Sequence, residues 1–252
     1  MNKILSITVL LLLTACEGEN SSNASNSGGG TGQAGSLATF TIAKNNLYVM
    51  DTSSVIAFSL TEPTNPQQFD RHTINFSDGE TIFNHQNEYV FIGKRTGVDI
   101  LALDETGEMT FLAEHSHITA CDPVIAAGNR SFVTTRAGNG CGFGQNLLEV
   151  LDISDMSNPE VIFSLEMRAP NGLAVSGDDL FVCDLSEGLK RFKIVENEDG
   201  FFLEQAYISD IYDCNDIILT GDLIILNHDD GITQIQWQGD DFTVLSNLEI
   251  SR

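Results

Sequence analysis

From Leu37 onward the chain returns to one pattern five times, and that recurrence limits its fold more than any other feature. Apolar strand cores follow turn residues at Asn46-Leu47-Tyr48-Val49, Glu88-Tyr89-Val90-Phe91, Arg130-Ser131-Phe132-Val133, Asp179-Leu180-Phe181-Val182 and Asp222-Leu223-Ile224-Ile225. Taking Leu47, Tyr89, Ser131, Leu180 and Leu223 as equivalent gives steps of 42, 42, 49 and 43 residues. The long step carries an inserted Gly-rich loop, residues 137–146. A period in the low forties with short alternating strands is the signature of propeller blades. In the fourth unit the strands read as Gly172–Val175, Leu180–Cys183, Leu189–Val195 and Phe201–Ile208. In the fifth they read as Ile217–Leu219, Leu223–Leu226, Ile232–Trp237 and Phe242–Leu248. The expectation is an all-β β-propeller of five four-stranded blades over residues 37–252, with six blades as the alternative. Because an open ring leaves sheet edges unpaired, the terminal strand Phe242–Ile250 and the first strand Ala38–Ala43 are expected to lie near each other.

The start of the chain carries a different signal. Lys3 is followed by an apolar run from Ile4 to Leu13, broken only by Ser6 and Thr8, and then by small residues. That run is too short for a permanent membrane span and has the layout of a cleavable export signal. Its end, Leu13-Thr14-Ala15-Cys16, resembles a bacterial lipobox. The resemblance implies a signal peptide over 1–15, lipidation of Cys16 and anchoring in the cell envelope, with Glu17 pointing to the outer membrane. Residues 17–36 hold no aromatic or branched aliphatic side chain. Such a segment cannot bury enough apolar surface to offset the entropy of ordering, so 16–36 reads as the lipidated cysteine and a flexible linker.

Charge narrows the partners. The whole chain has 12 Lys+Arg against 36 Asp+Glu, a formal charge of −24; loss of Lys3 with the signal leaves −25. A surface of that sign repels nucleic-acid phosphates and anionic headgroups. Attachment to a membrane then falls to the lipid.

Two units carry a further motif. Leu47-Tyr-Val-Met-Asp51 leads through Val55–Leu60 to Thr61-Glu-Pro-Thr-Asn-Pro66, and Leu148-Glu-Val-Leu-Asp-Ile-Ser-Asp155 runs into Met156-Ser-Asn-Pro159. These resemble the LVIVD repeat of exported bacterial β-propellers. Units two, four and five replace the motif's Pro-containing turn with Asp104–Gly107, Asn197–Gly200 and Gly239–Asp241. The resemblance implies architecture rather than an activity.

The blade frame also selects candidate site residues. Thr39, Thr81, Asp122, Asn171 and Asn215 fall at one position of each unit, where the chain enters beside the central channel. They are expected to ring one mouth, capping strand entrances and holding water, or to form a site for a small polar ligand or a divalent cation such as calcium. Glu80, Asp213 and Asp216 are neighbours of that ring. Beyond Cys16, four cysteines in an exported chain read as two disulfides, for which the frame favours Cys121–Cys141 and Cys183–Cys214. His115 and His117 have a spacing compatible with a metal, and equally with an outer strand facing solvent. His228 sits at a turn. No nucleophile elbow, HExxH helix, P-loop or EF-hand loop occurs.

The function expected is that of a non-enzymatic binding or scaffold module held in the envelope, whose partner is an envelope protein or a small polar ligand. The alternative is a metal-dependent, lactonase-like hydrolase with its site at the channel mouth. A structural surface protein is a third reading.

Overall fold

The computed structural model describes residues 35–74, 79–116, 123–138, 144–198, 200–209 and 213–250. The signal segment, Cys16, His117, Cys121, Asp122 and Cys141 lie outside them. The described residues form five four-stranded antiparallel sheets, each a simple up-and-down meander. Blade one comprises β1 (Phe40–Ala43), β2 (Asn46–Met50), β3 (Ser54–Ser59) and β4 (Gln67–Thr73). Blade two comprises β5 (Gly79–His85), β6 (Tyr89–Lys94), β7 (Gly97–Leu103) and β8 (Met109–Ser116). Blade three comprises β9 (Val124–Ala127), β10 (Arg130–Thr135), β11 (Leu147–Asp152) and β12 (Glu160–Glu166). Blade four comprises β13 (Pro170–Ser176), β14 (Asp179–Asp184), β15 (Gly188–Asn197) and β16 (Gly200–Ile208). Blade five comprises β17 (Cys214–Thr220), β18 (Leu223–His228), β19 (Gly231–Gln238) and β20 (Asp241–Glu249). The inner strands β1, β5, β9, β13 and β17 neighbour one another in chain order. This is the five-unit, all-β arrangement that the repeat predicts.

The turns between first and second strands set the register. In blades three to five a glycine with positive φ (Gly128, Gly177, Gly221) opens a two-residue hairpin loop, where a side chain would be strained. Blade one uses Lys44 and Asn45, both at positive φ, between the paired residues Ala43 and Asn46. Blade two spends one residue more: His85 pairs with Tyr89 across Gln86, Asn87 and Glu88. Counting from these pairs, the residue equivalent to Leu47 is Val90 in blade two and Ile224 in blade five, one position beyond the equivalence expected from spacing alone. A slip of one residue exchanges the two faces of a strand, so the correction decides which side chains meet which neighbour.

With the register set, the packing rule is simple. The residue after each equivalent position is Tyr48, Phe91, Phe132 or Phe181 in blades one to four, each at most 1% exposed. Each packs its ring against the next blade, in four successive apolar cores. Large rings suit a wedge-shaped gap between splayed sheets. In blade five the same position is Ile225, and it is half-buried.

Tyr48 also ties its blade to the next. Its hydroxyl donates to the Gly107 carbonyl at 2.8 Å, and burial pushes the phenol up to about 12, so it remains a neutral donor. Tyr48→Phe keeps the ring and deletes that bond. It should lower stability by about 1 kcal/mol in urea unfolding, and an unchanged midpoint would show the bond to be inert.

Among the described residues, the first and last strands do not pair with one another. β1 bonds to β2 and β20 bonds to β19, in different sheets. Phe40 and Ile42 of β1 are 56% and 46% exposed, and Leu248 of blade five is 56% exposed. What reaches from the start of the described chain to blades four and five is a short strap, residues 35–37.

Candidate functional site

At the strand entrances, β-bulges displace the residues that equal spacing would align. Gly79 and Thr81 pair with Lys94 and Gly93, leaving Glu80 as an extra residue. Pro170 and Leu173 pair with Asp184 and Val182, so Asn171 and Gly172 share one position. Cys214 and Asp216 pair with His228 and Asn227, leaving Asn215 as the extra residue. Bulges re-aim side chains, and they do so here at the starts of the inner strands. In blade five the residue in register with Thr81 of blade two is therefore Asp216 rather than Asn215.

The expected ring residues consequently have separate surroundings. Thr39 is exposed and its carbonyl accepts from Met50 N–H at 2.8 Å. Thr81 and Asn171 are buried, and the Asn171 carbonyl accepts from the Thr134 hydroxyl at 2.6 Å. Asn215 donates to Asp229 within its own blade at 3.0 Å.

Asp216 lies where the inner strands of blades four and five meet, against Gly172. Its carboxylate accepts the Ser36 hydroxyl at 3.2 Å and also takes the backbone N–H groups of Ser36, Leu37 and Ile217. The Ser36 oxygen in turn accepts the N–H of Leu173, on the inner strand of blade four, at 2.8 Å. The hydroxyl thus bridges the two blades. Burial is the largest influence on Asp216 and pushes its pKa up to about 6, against hydrogen bonds that favour the anion. Space is tight as well: a Cβ on Gly35 would run into the Asp216 carboxylate, and one on Gly172 would lie 2.6 Å from Asp216 Cα. Gly35 and Ser36, which composition assigns to the linker, are buried parts of the folded body.

The mouth is rigid on this side. Cys183 on β14 and Cys214 on β17 form a disulfide, with Cα atoms 5.0 Å apart. Beside it, the fully buried Asp184 accepts the N–H groups of Arg168, Ala169, Ser186 and Glu187, and Lys190 Nζ lies 3.3 Å away. Asp51 does the same work at the equivalent turn of blade one, taking the N–H groups of Ser53 and Ser54 at 2.7 Å each. Both aspartates staple the turns that follow the second strands of their blades.

Blade two departs from this pattern in a way spacing did not reveal. Lys94 occupies the position of Asp51 and Asp184, and its buried Nζ lies 2.7 Å from Asp99 and 2.9 Å from Glu114. Burial opposes its charge, but the two carboxylates outweigh burial and hold the ammonium above its usual range. A lysine where blades one and four carry an aspartate, with Asp99 five residues on, is the signal that could have found it. His115 Nε2 lies 3.4 Å from Glu149, and His228 Nε2 lies 2.9 Å from the Thr233 hydroxyl. Among the described residues, no group of three or more His, Cys, Asp or Glu side chains is arranged to hold a metal ion. No helix among them is long and apolar enough to cross a membrane.

No protein-family model matches the chain, and no curated protein matches it. Solved structures do. A Lactobacillus plantarum protein superposes with a TM-score of 0.66 at 14% identity, over 82% of this chain and 69% of that one. A Bacteroides fragilis protein provisionally assigned as a 6-phosphogluconolactonase gives 0.64 at 10% identity, over 84% and 69%. The periplasmic gluconolactonase PpgL of Pseudomonas aeruginosa gives 0.51 at 12% identity, over 85% of each chain. At these identities the likeness shows the fold alone. The chain has a propeller-like fold.

Proposed function

We propose that this chain is a bacterial envelope lipoprotein of LVIVD-repeat type, anchored through Cys16 in the outer membrane, whose five-bladed propeller is a non-enzymatic binding or scaffold module. The observation that carries the reading is the channel mouth itself. Its central carboxylate, Asp216, is committed to hydrogen bonds with a polypeptide segment rather than left for acid–base work. Recognition asks for a rigid scaffold rather than a catalytic constellation, and the five sheets with the Cys183–Cys214 bond between the last two support that reading. The anchor predicts that Cys16→Ser moves the protein from the membrane to the soluble envelope fraction. Retention of the serine variant in the membrane would refute lipid anchoring.

A second reading is a lactonase-like hydrolase using a metal at the mouth. It is favoured by the activities named for two structural neighbours. A pulldown of the lipidated protein from its own envelope, with and without chelator, separates the two. Capture of the same partner under both conditions supports the binding module. Chelator-sensitive lactone hydrolysis by the purified protein, with empty captures, supports the enzyme.

A further inference from the structure

The strap at residues 35–37 is bound as a ligand is bound. It is a turn centred on Ser36 and Leu37 with no sheet partner on blades four or five, yet it is recognised there by both backbone and side chain. Asp216 reads two consecutive N–H groups and a hydroxyl. Leu173 N–H reads the hydroxyl oxygen. The absence of a side chain is read at Gly35, whose Cβ position lies against the Asp216 carboxylate. Ser36 is 1% exposed, so the hydroxyl is fully enclosed. A turn from Ala38 N–H to the Gly35 carbonyl, 3.0 Å, then directs the chain toward blade two, where Ile82 N–H donates to the Ala38 carbonyl at 2.8 Å. These contacts lie 137 and 180 residues away in sequence, so local chain stiffness does not impose them.

We propose that the channel mouth between blades four and five is a binding site for a short Gly-Ser peptide segment, filled in cis by Gly35-Ser36-Leu37. The ligand class follows from the contacts: a residue without a side chain, then a serine whose hydroxyl both donates and accepts, then a further free N–H. A carboxylate with these donors around it selects N–H and O–H groups and rejects an anion. A strap made of the chain itself holds such a site at the high effective concentration of a short connection, so a partner segment in trans must displace it. This inference deepens the binding-module reading, but its readout is local and does not depend on where the protein resides.

The test is amide hydrogen exchange on the full chain. In Ser36→Ala the amide of Leu173 loses its acceptor, and in Asp216→Ala the amides of Ser36 and Leu37 lose theirs. Each is expected to exchange about tenfold faster, the effect of one hydrogen bond, while the amides of β10 stay unchanged and report an intact fold. The peptide acetyl-Ala-Gly-Ser-Leu-Ala-amide, added at millimolar concentration to the Ser36→Ala protein, should restore protection at Leu173. The same peptide with alanine in place of serine should not. Unchanged exchange in both variants overturns the strap as a ligand, and failure of the serine peptide to protect Leu173 overturns the site in trans. Empty envelope pulldowns alongside restored protection would count against the cellular role and leave the site standing.

Discussion

Replacing Cys183 and Cys214 together with serine should lower the unfolding free energy by about 3–4 kcal/mol, the value expected when a crosslink spanning some 31 residues is removed from the unfolded chain. Both sulfurs are fully buried between blades four and five, among Phe181, Leu189, Ile217 and Leu226. Each serine therefore also places a hydroxyl in an apolar core, which adds to the loss. The double variant is the right probe because a reductant would act on every disulfide of the chain at once. Urea unfolding should show a lower midpoint; a slope smaller than wild type would mean that blade five separates before the rest. A loss below about 1 kcal/mol would show that the crosslink constrains little, and that packing alone holds the last blade.

The second large effect is expected at Arg191. It is buried on β15 with Nε 2.6 Å from Asp179 and Nη1 2.8 Å from Asp240, across the junction with blade five. Its guanidinium lies over Trp237 at 5.5 Å and over Phe242 at 5.9 Å. Phe181 meets Trp237 edge to face at 4.9 Å, so the cation completes the aromatic wedge of that junction. Arg191→Ala removes one partner of a buried ion pair and opens a void beneath two rings. A loss of about 3 kcal/mol is expected, near the low end for breaking such pairs, because Lys193 remains 2.7 Å from Asp179. Arg191→Met should lose less, since the thioether chain keeps apolar contact with the rings. Trp237 is the only tryptophan in the sequence, so its emission reports this junction alone. A red shift in the alanine variant is expected; unchanged emission together with a loss under 1 kcal/mol would remove Arg191 from the account.

Much of this architecture was legible in the repeat. The strands of blade four fall within a residue or two of where alternation and turn residues place them, since each hairpin is a local structure with its own Gly or Asn signal. What escaped is what local pattern does not encode. The extra turn residue at Gln86–Glu88 and the bulges at Glu80, Asn171-Gly172 and Asn215 shift the frame without altering composition. Gly35 and Ser36 have the composition of the linker before them. They are ordered by an aspartate 180 residues further on, and no window of sequence contains both. The buried Lys94 likewise reads as a surface charge until β7 and β8 bring Asp99 and Glu114 beside it. Period and alternation thus locate the blades, while the chemistry of the mouth depends on contacts between them.

The strap also fixes a load path. Tension arriving along the chain toward residue 35 passes first into Asp216 and Leu173, on the inner strands of two blades that a covalent bond holds together. β1, whose short ladder to β2 runs only from Phe40 to Ala43, lies beyond that point and is shielded from being peeled off its sheet. A tug on the amino-terminal side is therefore resisted by two disulfide-linked blades, and the short edge strand β1 carries none of it until the strap lets go.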